Sequence, residues 1–140
     1  MTDESGAFYS AEDADSEEIE GKFYVWSPKE VKVLLGEELG ALYCEAYDIT
    51  EEGNFEGASI PNQIHGDEAT IAANHGMKQT QLMEQLEVAR RKLFAAREQR
   101  IHPHKDDKIL TSWNGLMVTA LAKAARVLER RNMKRQQALP

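Results

Sequence analysis

The chain has 140 residues, is 41% hydrophobic and 29% charged, and carries a net charge of −7. That is the composition of one modest globular domain, and no apolar run approaches the roughly 18 residues of a membrane span. The one cysteine, Cys44, excludes an internal disulfide and any Cys-x-x-Cys redox or zinc motif. The acidic start lacks an apolar signal region, so a cytoplasmic setting is the expectation.

Gly6 to Ser10 and Gly21 to Trp26 are aromatic-rich runs bounded by polar and glycine residues. They predict two short strands, an N-terminal β-hairpin closed by an acidic loop. Ser27, Pro28 and Glu30 supply an N-cap, a proline at the first helical position and a capping-box glutamate. The helix they open carries Val31, Leu34 and Leu35 and stops at Gly36. A second helix is predicted from about Glu37 to Tyr47, with Leu39, Leu42, Tyr43 and Ala46 on one face. Residues 48–78 read as a long irregular segment. From Thr80 to Arg100, Leu82, Leu86, Ala89, Leu93 and Ala96 recur at steps of three and four and predict an amphipathic helix. The last helix is predicted from Ser112 to Arg131, with Trp113, Met117, Ala120, Leu121, Ala124 and Leu128 as a buried stripe, followed by a polar tail over 132–140.

Two clusters carry candidate chemistry. Residues 103–116 place Asp106, Asp107, Lys108, Trp113 and Asn114 in a loop that runs into an apolar helix. Binding groups favour such loops on rigid scaffolds. An indole can stack on the C–H face of a sugar while carboxylates and amides bind its hydroxyls. The bland reading weighs about the same: Trp113 as a core anchor, Asn114 as a cap and Asp107 satisfying backbone N–H groups. The second cluster is Glu12, Asp13 and Asp15, flanked by Phe8, Tyr9, Phe23, Tyr24 and Trp26. A calcium loop counted from Asp13 fails, because its sixth and twelfth places hold Glu18 and Tyr24 rather than Gly and Glu. A solvated acidic turn competes with a ligand-facing carboxylate here. His102 and His104 lack a third histidine nearby, so no metal and no cofactor is assigned. Charge divides unevenly: residues 1–56 hold 16 acidic and 3 basic residues, and residues 57–140 hold 8 and 14. The basic half has no aromatic stacking platform interleaved with it, so neither nucleic acid nor membrane is an expected partner.

The runs Ser10 to Ser16, Glu20 to Trp26, Glu52 to Gly57 and Pro103 to Met117, in that order, resemble the YyaL-like family. That is the thioredoxin-domain-containing group that includes the spermatogenesis-associated thioredoxin-like proteins. The resemblance covers roughly residues 2–128. It implies a mainly α chain that is a middle fragment of an (α/α)6 barrel of the six-hairpin or epimerase-like kind, with residues 1–131 as a partial barrel domain. No counterpart of the family's thioredoxin-like domain is present in these residues, and after Leu128 the sequence departs from the family pattern. A truncated or split product follows as the expectation. The family's barrel-mouth motifs fall on Glu12, Asp13, Asp15, Lys22, Asp106, Lys108, Trp113 and Asn114. The relationship implies carbohydrate processing by acid–base chemistry, epimerase/isomerase-like or glycosidase-like. Asp106, Asp107, Asp13 and Asp15 are then the catalytic candidates, and Glu12, Lys22, Lys108, Trp113 and Asn114 the substrate-binding ones. The rival expectation is a non-catalytic helical module that associates with the remaining barrel segments or with itself.

Overall fold

A computed structural model describes residues 1–137, with side chains through residue 128. In chain order the elements are strands β1 (Ala11–Glu12), β2 (Asp15–Ser16) and β3 (Ile19–Glu20), helices α1 (Pro28–Leu35), α2 (Glu37–Ala46), α3 (Glu68–Asn74) and α4 (Gln79–Arg97), strand β4 (Lys105–Asp106) and helix α5 (Thr111–Gln137). The described chain is mainly helical with a small two-stranded hairpin. It divides into two compact units: Ala14–Pro103, and Met1–Asp13 together with His104–Pro140.

The helical unit, Ala14–Pro103, is built on local signals. The Glu30 N–H donates to Ser27 Oγ at 3.3 Å, and the Ser27 N–H donates to Glu30 Oε2 at 3.0 Å. This reciprocal capping fixes the start of α1. Val31 and Leu35 turn inward, while Leu34, expected beside them, is exposed because it falls off the narrow buried stripe. On α2, a Cβ at Gly40 would sit 2.8 Å from the Lys32 Cα, so glycine is what allows α1 and α2 to pack this closely. Leu42, Tyr43 and Ala46 of α2 meet Leu82, Leu86, Ala89 and Leu93 of α4 in one core with Trp26, Ile49, Ile71 and Ala72. The period-3.6 reading of α4 is the actual buried face.

Two expectations are corrected in this unit. Gly21 to Trp26 does not form a strand: Gly21 takes φ +73° and residues 21–24 turn, with the Tyr24 N–H donating to the Gly21 carbonyl at 2.8 Å. Only Trp26 keeps extended pairing, an isolated bridge to Ser59. The hairpin forms inside the acidic loop instead. β2 and β3 pair antiparallel, Asp15 opposite Glu20 and Ser16 opposite Ile19. Glu17 and Glu18 close the turn at φ +53° and +63°, the mirror-image backbone that two-residue hairpins require. Residues 48–78 are also more ordered than the sequence suggested. Asp67 accepts hydrogen bonds from the Ala69 and Thr70 N–H groups and opens α3, which buries Ile71 and Ala72. Seven residues carry too little periodicity to announce such a helix.

In the other unit, β1 pairs antiparallel with β4, Ala11 opposite Asp106 and Glu12 opposite Lys105. The expected strand over Gly6 to Ser10 is reduced to a bridge between Thr2 and Phe8. Gly6 takes φ +88° and its N–H donates to the Asp3 carbonyl at 2.9 Å, which tightens the chain into a turn. α5 extends through Gln137, so residues 132–137 continue the helix, as their helix-favouring Met, Lys, Arg and Gln allow. The rest of the expected tail, 138–140, lies outside the described residues. The stripe expected to be buried on α5 is exposed: Trp113 at 53%, Leu121 at 53% and Leu128 at 57%. Periodicity marked an apolar face but not whether anything covers it.

Candidate functional site

The β1–β4 ribbon assembles most of the candidate residues. Asp106 lies half-buried in β4, where its carbonyl accepts from Ser10 Oγ at 3.2 Å. Its carboxylate is held by the residue two places on: Lys108 Nζ donates to Oδ2 at 3.0 Å and the Lys108 N–H to Oδ1 at 3.2 Å. The Lys108 side chain, then its backbone N–H, hold the Asp106 carboxyl below the usual carboxylate range, against a small opposing effect of burial. Asp106 is therefore ionised at neutral pH. It can accept a proton or stabilise positive charge, and it is poorly suited to donate one.

Asp107 follows, exposed to solvent. Its neighbour in space is Tyr9, whose hydroxyl donates to Asp3 Oδ2 at 2.8 Å. That bond chiefly raises the Tyr9 pKa; burial and the charges of Asp3 and Asp107 add to it. Lys105 Nζ stands 5.6 Å from the centre of the Tyr9 ring. Across the ribbon, Glu12 lies opposite Lys105, a register that favours opposite charges. Asp13 continues the ribbon by donating its N–H to the His104 carbonyl at 2.8 Å.

Asn114 sits in the first turn of α5 and faces back to the N-terminal segment. Its Oδ1 accepts from the Phe8 N–H at 2.8 Å, and its Nδ2 donates to the Phe8 carbonyl at 2.9 Å and to the Leu110 carbonyl at 3.0 Å. Both amide hydrogens are thus used within the fold, so Asn114 acts here as a positioning residue. Trp113, the residue before it, leaves an exposed indole.

Asp15 and Lys22 fold with the helical unit. Asp15 is exposed in β2. Lys22 Nζ pairs with Glu17 Oε2 at 2.9 Å, and both residues line a cleft of about 390 Å³ together with Arg100. Arg100 belongs to no motif that the sequence singles out. Its Nη1 donates to the carbonyls of Lys22, Phe23 and Val25 at 3.3, 2.9 and 2.8 Å, and its guanidinium lies 3.9 Å from the centre of the Trp26 ring. Burial pushes its pKa down, against the pull of Glu30. His102 tilts against Phe23, ring centres 4.6 Å apart. The groups placed together on one unit are therefore Glu12, Asp13, Asp106, Asp107, Lys108, Trp113 and Asn114.

The chain is similar to spermatogenesis-associated protein 20 of mouse, 36% identical over 146 aligned positions that cover 87% of this chain. The human protein of that name is 36% identical over 152 positions, covering 91% of this chain. An uncharacterized Caenorhabditis elegans protein is 32% identical over 154 positions, covering 92%. These alignments cover only 18%, 19% and 21% of the respective relatives, so the chain spans about a fifth of their length. No family model matches the chain. Among the described residues, no helix is long and apolar enough to cross a membrane.

Proposed function

We propose that this chain forms part of the sugar-binding end of a cytoplasmic, carbohydrate-active (α/α)-barrel protein of the YyaL-like, thioredoxin-domain-containing group. The reaction is acid–base chemistry of the epimerase/isomerase or glycosidase kind. The observation that carries the reading is the β1–β4 ribbon. It sets Glu12 and Asp13 against the segment that holds the ionised Asp106, the exposed Asp107 and, further on in the first turn of α5, the exposed Trp113. An ionised carboxylate serves as base or charge stabiliser, a second carboxyl serves as acid, and an indole offers a stacking face. Asn114 holds α5 to the N-terminal segment and so sets where Trp113 stands.

Such a site requires its groups to be held within about 0.5 Å by a supporting shell, and this chain corresponds to about a fifth of its relatives. Sugar binding without turnover is therefore the behaviour of the chain alone. The test is a fluorescence titration with glucose, mannose, N-acetylglucosamine and N-acetylmannosamine. Saturable quenching that Trp113→Phe and Asp107→Asn each abolish supports the proposal. Absence of saturation with every sugar overturns it.

A second reading has its own observation. The apolar residues Leu116, Val118 and Leu121 of α5 are exposed by 70, 64 and 53%. That suits a non-catalytic helical module that assembles with further barrel segments or with itself. Sugar-independent association that Leu121→Glu abolishes, with no quenching by any sugar, favours this reading over the first.

A further inference from the structure

The helical unit contains a second cleft, of about 480 Å³, with Tyr24, Trp26, Tyr43, Phe94, Arg90 and Arg97 in its walls. Small-molecule sites fall in this size range and combine apolar, aromatic walls with a few polar groups. Among the described residues, no carboxylate lines this cleft, whereas two guanidinium groups do.

The two arginines differ in what they hold. Arg90 is committed: its Nε and Nη2 donate to the two Glu87 carboxylate oxygens at 2.8 and 2.9 Å. Arg97 is not. Its Nε is buried without a hydrogen-bond partner, and its Nη2 makes only a loose ion pair with Glu98 Oε1 at 3.8 Å, beyond hydrogen-bond reach. The guanidinium carbon instead stands 5.3, 5.6 and 5.3 Å from the ring centres of Phe23, Tyr24 and Phe94. Ring faces stabilise the charge but fill none of the donors of the planar fork. Nε has no exposed surface, so an acceptor in the cleft meets the Nη groups, and the acceptor that fits their paired geometry is an oxyanion bound end-on.

We infer that this cleft binds a small planar organic carboxylate, its oxygens paired with the Arg97 guanidinium and its apolar body held against the aromatic wall. The inference is independent of the carbohydrate reading, since every residue it uses lies in Ala14–Pro103. A plain sugar lacks the anionic group that Arg97 calls for, and a bare phosphate lacks the apolar body that the rings call for.

The test is calorimetric titration of the full chain with 2-naphthoate and with its neutral analogue 2-naphthamide. The acid is expected to bind one per chain, at least about tenfold more tightly than the amide, because only the acid forms a charge-assisted pair. In wild-type NMR spectra the acid is expected to shift the side-chain resonances of Tyr24, Trp26 and Phe94 and to leave those of Trp113 in place. Arg97→Met is expected to weaken the acid at least about tenfold with little effect on the amide, while Lys105→Met changes neither. Equal affinity for acid and amide, resonance shifts centred elsewhere, or no saturable binding of the acid overturns the inference. Should Arg97→Met fail to fold, the acid–amide comparison and the resonance map on the wild type decide the matter.

Discussion

The side-chain amide of Asn114 pairs with both backbone groups of Phe8, accepting from its N–H at 2.8 Å and donating to its carbonyl at 2.9 Å, across 106 residues of sequence. The amide imitates one rung of a β-ladder and ties the first turn of α5 to the N-terminal segment. Replacing Asn114 by Ala leaves two part-buried polar groups of Phe8 without partners. The expected cost is about 1–3 kcal/mol in urea unfolding, with loss of hydrogen-exchange protection at the Phe8 amide. Asn114→Asp is expected to be worse, since it sets a carboxylate against the Phe8 and Leu110 carbonyls. An Asn114→Ala variant with undiminished protection at Phe8 would contradict this role.

Asp106 and Lys108 make a prediction about pH. The folded Asp106 carboxyl titrates below its ordinary 3.8, chiefly because Lys108 donates to it. A depressed carboxyl contributes stability above its unfolded pKa and loses it as pH falls through the folded value. Lys108→Met removes the side-chain donor and leaves the backbone one. The Asp106 titration, followed by its carboxyl carbon resonance, should then move up toward 3.8. If sugar binding depends on ionised Asp106, its acid limb moves up with it; a limb that stays put assigns the proton to another group.

How much of this was legible follows from the range of the interactions. The capping box at Ser27, Pro28 and Glu30 lies within four residues, so its text announces its structure. The buried face of α4 was legible for the same reason, a repeat confined to one helix. The grip of Lys108 on Asp106 is equally local, although adjacent charges alone do not distinguish it from a surface cluster. By contrast, the aromatic residues between Gly21 and Trp26 read as a strand because their partners are remote: Arg100 supplies the guanidinium over Trp26, and Ser59 supplies its backbone bridge. Asn114 stands out by residue type, but its partner is a backbone group, which no side-chain pattern can reveal. On α5 the repeat was real, yet periodicity reports an apolar face and says nothing of its covering.

Asp3 provides an acid-stability signature in the N-terminal turn. Bonds from Ser5 and Tyr9 lower its carboxyl from 3.8 to about 2. Its stabilising contribution is present above about 4 and is lost as pH falls toward 2. Melting curves recorded through that window should fall less steeply for Asp3→Asn than for the wild type. Parallel slopes in the two proteins would show that these bonds do not persist in solution.

Two glycines in the loop before α3 should respond differently to the same change. Gly53 takes φ +71°, and a Cβ there would sit 2.3 Å from the Ala58 carbonyl oxygen, the acceptor for the Asn54 and Phe55 N–H groups. Gly57 takes φ +80° with open space around it. Gly57→Ala carries the left-handed backbone term alone, roughly 1–2 kcal/mol. Gly53→Ala adds a backbone clash and should cost at least about 2 kcal/mol. Equal shifts of the urea midpoint would mean that the loop relaxes away from the Asn54–Ala58 turn.

Arg100 should prove one of the least replaceable residues of the helical unit. Three carbonyls, those of Lys22, Phe23 and Val25, converge on its Nη1. Its guanidinium plane covers Trp26 at 3.9 Å, and Nη2 lies 3.6 Å from Glu30 Oε1, next to the cap of α1. A lysine keeps the charge but offers a compact ammonium with no planar face to lay on the indole. Arg100→Lys should therefore retain some of the carbonyl bonds and lose the stack, costing about 1–2 kcal/mol. Arg100→Met keeps much of the apolar stem and strips every donor, so part-buried carbonyls lose their partners and the cost rises to about 2–4 kcal/mol. Trp26 fluorescence gives a readout specific to this stack: in a Trp113→Phe background, both variants should change the emission of Trp26 in the folded state. A lysine variant with wild-type stability and wild-type Trp26 emission would show that charge alone, and not the planar fork, holds this turn.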